Sequence, residues 1–385
     1  MPNELLIMPT LTTQLLKGNR FRLTKKFIQG VSTIAEYWPG HVTVLLRGSQ
    51  HSDDNLDHID VATEELPFNI EIITSTSFLI GQRLTKARVI LATLSRELLW
   101  VEKYCNQMAV ALIWITETSL ATRHQIIDTI PISFLRRLKR KLWELVVEQR
   151  YRQIISRSAG VQCNGTPTFF AYRLLNRHAF LFFDGRVSSS MIASPADITP
   201  RIERMLNGAP LNLAFSGRLI AMKGVNHLPT LAQELCRRGI PFQFFIFGDG
   251  DQRATLYAKI KSLELHEKVQ LEGVLDFETQ LLPTVKSSID LFVCCHLQGD
   301  PSCTYLETLS CGVPIIGYAN EAWAGLQKLS DAGWATPMGD PVKLADKQLL
   351  PLWRGRAVNF VTSGSGWPFF HSPRGKSGMS HGLNR

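Results

Sequence analysis

The second half of the chain repeats one unit: a short, nearly uninterrupted apolar run, a turn holding glycine or proline, then an amphipathic stretch of helical period. The runs are Leu213–Ser216, Phe242–Phe247, Val269–Leu271, Ile289–Cys294 and Val313–Tyr318. Runs without polar alternation suit strands covered on both faces, as in a parallel sheet. Between them lie helical stretches near His227–Arg238, Gln252–Ser262, Phe277–Lys286, Tyr305–Ser310 and Ala322–Asp331. Parallel strands need crossovers of about a dozen residues or more, usually helical. The pattern therefore predicts a doubly wound α/β domain.

The first half carries the same rhythm less regularly. Strands are expected near Leu5–Met8, His41–Leu46, Ile70–Thr74, Arg88–Leu94, Ala109–Thr116, Gly160–Cys163 and Ala179–Phe183, with helices near Thr24–Tyr37, Glu97–Asn106 and Phe134–Arg157. The chain has 385 residues, 45% of them hydrophobic, enough for two cores. The expected organisation is two Rossmann-like domains, 1–208 and 209–350, with the linker near the end of the polar, proline-containing stretch Met191–Pro210. Residues 351–385 form an atypical tail. Its Ser363–Gly378 run has neither strand nor helix period and reads as disordered.

Charge narrows the partners. Net charge is +9, which suits nucleic acid, anionic lipid or phosphorylated substrates. It is concentrated in two places. Phe134–Arg157 carries eight basic residues against Glu144 and Glu148, and the chain from Trp353 onward carries five with no acid. The remainder is slightly acidic, unlike a nucleic-acid coat, and no nucleic-acid-binding motif is present. No apolar stretch is long enough to span a bilayer, and the start of the chain lacks a signal-peptide pattern. A cytoplasmic protein, soluble or peripheral on the inner membrane face, is expected. The seven cysteines include no Cys-x-x-Cys pair, so neither a disulfide framework nor a metal site is expected.

Ligands of such sheets bind beyond the carboxyl ends of strands. After Leu213–Ser216 come Gly217, Arg218 and, five residues on, Lys223. An arginine and a lysine so placed can clamp a diphosphate, the first by its planar fork and the second as a point charge. After Ile289–Cys294 comes Gln298-Gly299-Asp300-Pro301-Ser302-Cys303-Thr304-Tyr305-Leu306-Glu307, closing in Cys311-Gly312-Val313-Pro314. Here a helix should begin near Cys303, aiming the N–H groups of Cys303, Thr304 and Tyr305 at an anion. Glu307 could then accept from two ribose hydroxyls, or serve only as a helix-dipole carboxylate. Gly248-Asp249-Gly250 and Glu272-Gly273-Val274 are two further turns after strands.

Taken in order, these motifs resemble the donor domain of retaining GT-B glycosyltransferases, in particular the large bacterial family four that builds cell-surface polysaccharides and glycolipids. The resemblance covers about Leu213 to Ala345; the first half is similar only in rhythm. It implies that Arg218 and Lys223 hold the donor diphosphate as it leaves, that Glu307 binds the ribose, that the backbone at Gly273 and Val274 faces the base, and that Gly217 and Gly248 leave room for the nucleotide, with Cys303, Thr304, Tyr305 and Leu306 beside it. It also implies no cofactor and no metal, a nucleotide sugar as donor, a glycan or lipid-linked acceptor, and retention of anomeric configuration.

There are departures. The family pattern places an acid eight residues before the glutamate, where Gly299 stands; Asp300, one residue later, is the substitute. Many members carry a histidine after a central strand of the acceptor domain. Here Glu117 or Arg123 is the candidate for that niche and His124 a weaker one, and Gly18-Asn19 stands where an acceptor loop is expected or is an ordinary turn. The basic helix Phe134–Arg157 suits an anionic membrane surface, or it is a packed helix with Leu138, Leu142 and Leu145 as a core stripe. A GT-B nucleotide-sugar epimerase, or an impaired relative that only binds donor, fits the same motifs. The tail lacks the long crossing helix that the resemblance implies, and its composition suits a shifted reading frame.

Overall fold

The computed structural model describes residues 3–18, 20–49, 58–73, 77–330 and 332–345. The tail at 351–385 lies outside the described residues.

The first half forms one sheet from Glu4–Met8 (β1), Thr12–Leu16 (β2), Arg20–Thr24 (β3), His41–Gly48 (β4), His58–Ala62 (β5), Asn69–Ile73 (β6), Val89–Thr93 (β7), Ala111–Thr116 (β8), Gly160–Asn164 (β9) and Ala179–Phe182 (β10). The order is β10-β9-β8-β7-β1-β4-β2-β3-β5, with β6 also paired to β4. The pairs among β1, β4, β6, β7, β8, β9 and β10 are parallel, as is β2 with β4, whereas β3 runs antiparallel to both β2 and β5. The helices are Lys25–Tyr37 (α1), Ser77–Leu84 (α2), Trp100–Met108 (α3), Leu120–Thr129 (α4), Phe134–Arg157 (α5) and Gly165–Tyr172 (α6). Two apolar layers cover the faces of the sheet. Leu6, Ile90, Trp114 and Ile154 belong to one, and Phe21, Val31 and Val44 to the other.

The second half begins with helix Pro195–Leu206 (α7). Its sheet is wholly parallel: Leu211–Ser216 (β11), Phe242–Phe247 (β12), Val269–Gly273 (β13), Leu291–Cys294 (β14), Ile315–Tyr318 (β15) and Gly333–Thr336 (β16), in the order β13-β12-β11-β14-β15-β16. Helices Leu228–Arg237 (α8), Arg253–Ser262 (α9), Leu282–Ser288 (α10), Cys303–Ser310 (α11), Glu321–Ser330 (α12) and Pro341–Leu344 (α13) follow. The two parallel-sheet domains make this the GT-B architecture.

α7 shows why the packing changes before residue 208. A capping box between Ser194 and Asp197 starts the helix. Ile198, Ile202 and Met205 join the second domain's core. Arg201, buried, donates to the carbonyls of Val285, Ile289, Cys311 and Gly312 at 2.6–3.3 Å. By its contacts α7 packs on the second sheet, ahead of the expected boundary at 208/209.

The domains meet along a seam between α6 and α12. The Thr166 hydroxyl donates to the carbonyl of Glu321 at 3.3 Å, and a Cβ on Gly325 would run into the Thr166 side chain. Beside it, the Glu321 carboxylate accepts from Ser119 at 2.5 Å and from Thr122 at 3.4 Å.

Candidate active site

A cleft of about 680 Å³ lies between the carboxyl ends of the two sheets. One wall comes from the loops after β11, β12, β13 and β14. The other comes from the start of α1 and the ends of β8 and β9, and the connector after β10 crosses its floor.

β11 ends at Ser216, and Gly217, Arg218 and Lys223 line the cleft. Gly217 and Gly248, at φ +149° and +125°, belong to loops that approach closely: a Cβ on Gly248 would run into the Gly217 carbonyl. Glycine is needed there so that the two strand-end loops can touch, beyond any room left for a ligand. Lys223 closes a short 3-10 turn capped by Gly224 in the left-handed region. It is buried, with Nζ 3.8 Å from Asp300 Oδ2. Arg218 is exposed to the cleft.

After β14 the chain crosses Gln298–Ser302 and enters α11. Asp300, Cys303, Thr304 and Glu307 line the cleft. Burial pushes the Cys303 thiol up to about 11, with Glu307 adding to the shift. Glu307 is buried, and its Oε1 accepts from Arg186 Nε at 2.8 Å. Two expected donor contacts are corrected. Tyr305 turns inward, stacked on Trp323 at 5.6 Å with its hydroxyl accepting from Asn320, and its backbone N–H donates to Ser302. Leu306 faces a small cavity at the domain seam with Phe183 and Gly165. A helix shows one face to the cleft, and these two positions lie off it. Val274 lines the cleft, half exposed, while Gly273 accepts from the Gly248 N–H at 2.6 Å and stands behind it.

On the first-domain wall only one acceptor-side candidate reaches the cleft. Glu117 is open to its solvent but walled by protein, and Asn164 Nδ2 donates to its Oε2 at 2.8 Å. Burial in the cleft, together with the carboxylates of Asp184 and Asp300, holds its carboxyl above the usual range despite that hydrogen bond. Arg123 points away. It bonds Glu144 and Glu148 at 2.8 and 2.7 Å and lies over the Tyr151 ring, tying α4 to α5. His124 likewise meets the Lys141 carbonyl on α5. Gly18, at φ +77°, is the turn of the β2–β3 hairpin and does not line the cleft; the ordinary-turn reading applies. Asn19 lies outside the described residues. Spacing alone could not separate Glu117 from Arg123, because α4 begins between them.

Cleft residues that the motifs did not signal include Lys26, Asp184 and Arg186. Lys26 Nζ lies 2.5 Å from Asp184 Oδ2. Burial alone would lower its pKa, but Cys303, Asp184 and Glu307 raise it further than burial lowers it. These residues sit at a helix start and on an irregular connector, where no motif marks them.

Residues 202–349 match the family described as "Glycosyl transferases group 1". That match spans the second domain, from within α7 to beyond α13. The chain is 29% identical to the alpha-D-kanosaminyltransferase of Streptomyces kanamyceticus over 41% of its own length and 39% of that protein's. It is 26% identical to the 2-deoxystreptamine glucosyltransferase of the same organism over 33% of each. The chain thus spans about a third of the length of the curated relatives it matches. The whole fold resembles the crystal structure of Anabaena HepE in complex with UDP, with a TM-score of 0.63 at 15% identity, covering 94% of this chain and 95% of that one. It also resembles the lipopolysaccharide outer core galactosyltransferase WaaB, with a TM-score of 0.59 at 11% identity, covering 94% and 99%.

Proposed function

We propose that this protein transfers a sugar from a nucleotide-sugar donor to a lipid-linked or polysaccharide acceptor, with retention of anomeric configuration and without a metal ion. The observation that carries the reading is the convergence of Arg218, Lys223 and Glu307 on one wall of the cleft with Glu117 on the other. The donor diphosphate lies against Arg218 and Lys223, and its ribose hydroxyls donate to Glu307. As the bond from the anomeric carbon to phosphate oxygen breaks, the two cations take up the developing charge. The acceptor hydroxyl enters from the Glu117 side and forms the new bond on the face the nucleotide leaves, and its proton passes to the leaving phosphate oxygen. Asp300, beside Lys223, stands in for the acid that the family pattern places one residue earlier. UDP in the HepE structure and the transferase names of the relatives support a nucleotide-sugar donor.

The acceptor reading draws on α5. The core stripe expected at Leu138, Leu142 and Leu145 is not formed: these side chains are exposed, as are Phe134, Leu135, Trp143 and Val146. The packed half of α5 is the later one, through Val147, Tyr151, Ile154 and Ile155. Apolar side chains among exposed cations suit an anionic membrane face, where a lipid-linked acceptor resides. On this reading the protein works peripherally, on the cytoplasmic side of the membrane. Among the described residues no helix is long and apolar enough to cross a membrane.

The test is a thermal-shift screen against UDP, GDP and ADP and their sugars, followed by a transfer assay with glycan and lipid-linked acceptors. One diphosphate should stabilise the protein by mass action. Nucleotide sugar should be consumed only when acceptor is added. Conversion of the nucleotide sugar without acceptor would make the protein an epimerase, and binding without turnover would make it a donor-binding relative.

A further inference from the structure

Glu307 meets the donor site already held by another residue. Arg186 lies on the irregular connector between β10 and α7. Its Nε donates to Glu307 Oε1 at 2.8 Å, and its guanidinium carbon lies 3.7 Å from the centre of the Phe277 ring. Phe277 opens the helical turn after β13 and lines the same second-domain wall of the cleft as Glu307. The connector is anchored in turn to the first domain, where the Asp184 N–H donates to Asn164 Oδ1 at 3.0 Å and the Asp184 carboxylate pairs with Lys26.

We propose that Arg186 is a donor-positioning residue, setting the Glu307 carboxylate to receive the ribose hydroxyls of a nucleoside diphosphate. The proposal rests on the reading of the cleft as a nucleotide-sugar site. Three physical arguments lead to it. A carboxylate has two oxygens and about four lone-pair directions. Arg186 takes one on Oε1 and leaves directions for two hydroxyls. A buried carboxylate close to a diphosphate repels it, and a guanidinium bonded to that carboxylate cancels much of the repulsion. Finally, a glutamate on a helix has rotamers to lose on binding. Arg186 fixes one of them before the ligand arrives and is itself fixed against the face of Phe277. The same contact could instead plug an empty site, and the sign of the mutational effect separates the two.

The experiment uses the full chain and measures affinity by calorimetry for UDP, GDP and ADP and for their 2′-deoxy counterparts. It compares wild type, Arg186→Ala, Arg186→Lys, Glu307→Gln and the double variant Arg186→Ala with Glu307→Gln. For the diphosphate that wild type binds best, Arg186→Ala should weaken binding about tenfold, the usual range for a hydrogen bond to a charged group. It should weaken the 2′-deoxy form much less, so the preference for ribose shrinks. Arg186→Lys keeps the charge but loses the planar fork, and should fall between. Arg186→Ala and Glu307→Gln should be non-additive when combined. The ribose preference is the deciding readout, because a merely structural arginine would lower the melting temperature and leave that ratio unchanged. An unchanged ratio in both Arg186 variants overturns the proposal. Tighter binding by Arg186→Ala overturns it in favour of a plug. If wild type binds none of the three diphosphates, the donor-site reading fails first and the proposal falls with it.

Discussion

Replacing Arg136, Lys139 and Arg140 together with glutamine should remove most of this protein's binding to anionic membranes. The three side chains are exposed and stand at spacings of three and four on α5, so they share a face with Trp143. That face borders a groove of about 890 Å³ shared with Ile126, Ile127 and Ile130. Their neighbours do not count towards the effect, since Arg137 and Lys141 turn to Asp128 at 3.8 and 2.7 Å. Each cation at an anionic surface contributes about 1 kcal/mol. The triple change therefore removes about 3 kcal/mol, or roughly a hundredfold in partitioning. Glutamine is nearly as good a helix former as arginine or lysine, so circular dichroism should be unchanged. The assay is co-sedimentation with vesicles made with and without an anionic lipid, over a salt titration. Wild-type binding should need the anionic lipid and weaken with salt, as the screening length shrinks to about 10 Å at 0.1 M. What binding remains in the variant should be insensitive to salt, because it comes from Phe134, Leu135 and Trp143. Equal binding by variant and wild type, or equal wild-type binding to neutral vesicles, would refute the reasoning.

Arg218→Ala or Lys223→Ala should each reduce turnover about a hundredfold or more, and wild-type kinetics in either would remove that residue from the donor site. Arg123→Ala should cost about 3 kcal/mol, the lower end for breaking a buried pair, because Arg96 and Arg152 stay within 3.5 and 3.6 Å of Glu144 and Glu148. An unchanged urea midpoint would show that the α4–α5 tie is dispensable. The Glu117 carboxyl is held above its ordinary value, so it is protonated, and activity lost, as pH falls through that raised value. The acid limb of kcat/KM should lie above the usual carboxylate range and disappear in Glu117→Gln; an unaltered limb would clear Glu117 of any role.

How far the fold could be read in the sequence depended on how each element is buried. Phe242–Phe247 was legible to the residue because it is a central strand, apolar at nearly every position. Phe134–Arg157 was legible because its length and its run of strong helix formers leave no alternative. The hairpin β2–β3 was missed. Its strands are short, only Thr13 of β2 is buried, and the sequence Thr-Thr-Gln-Leu-Leu has no period to betray it. α7 was not read as a helix: it lies in the polar, proline-containing stretch Met191–Pro210, and Pro200 inside it removes a helix donor. The signals against that reading were the Ser194–Asp197 box and Pro195 at the helix start, which together outweigh one lost hydrogen bond once the apolar face is buried.

That Gly217, Arg218, Lys223 and Glu307 would lie at strand ends and line one wall of a cleft was legible because each motif is local: a strand end, a glycine, a charge a few residues later. What was not legible is set by contacts across the domains, and Gly299 shows the reason. The family pattern asks for an acid there, so a glycine reads as a loss. In the fold, Gly299 presses on the first domain. Its N–H donates to Gln125 Oε1 at 2.8 Å, across 174 residues of chain, and a Cβ would meet Thr122 Oγ1 at 2.9 Å and Glu321 Cβ at 3.1 Å. A carboxylate at that position would have to push α4 off the loop or lose its own solvation against Glu321. The adjacent Asp300 has open cleft in front of it and Lys223 at 3.8 Å. The seam that excludes a side chain at 299 is therefore the same contact that leaves 300 facing the cleft. If Asp300 is the displaced acid, as proposed, its loss at 299 and its appearance at 300 are one structural event, and a pattern read along a single domain has no means to connect them.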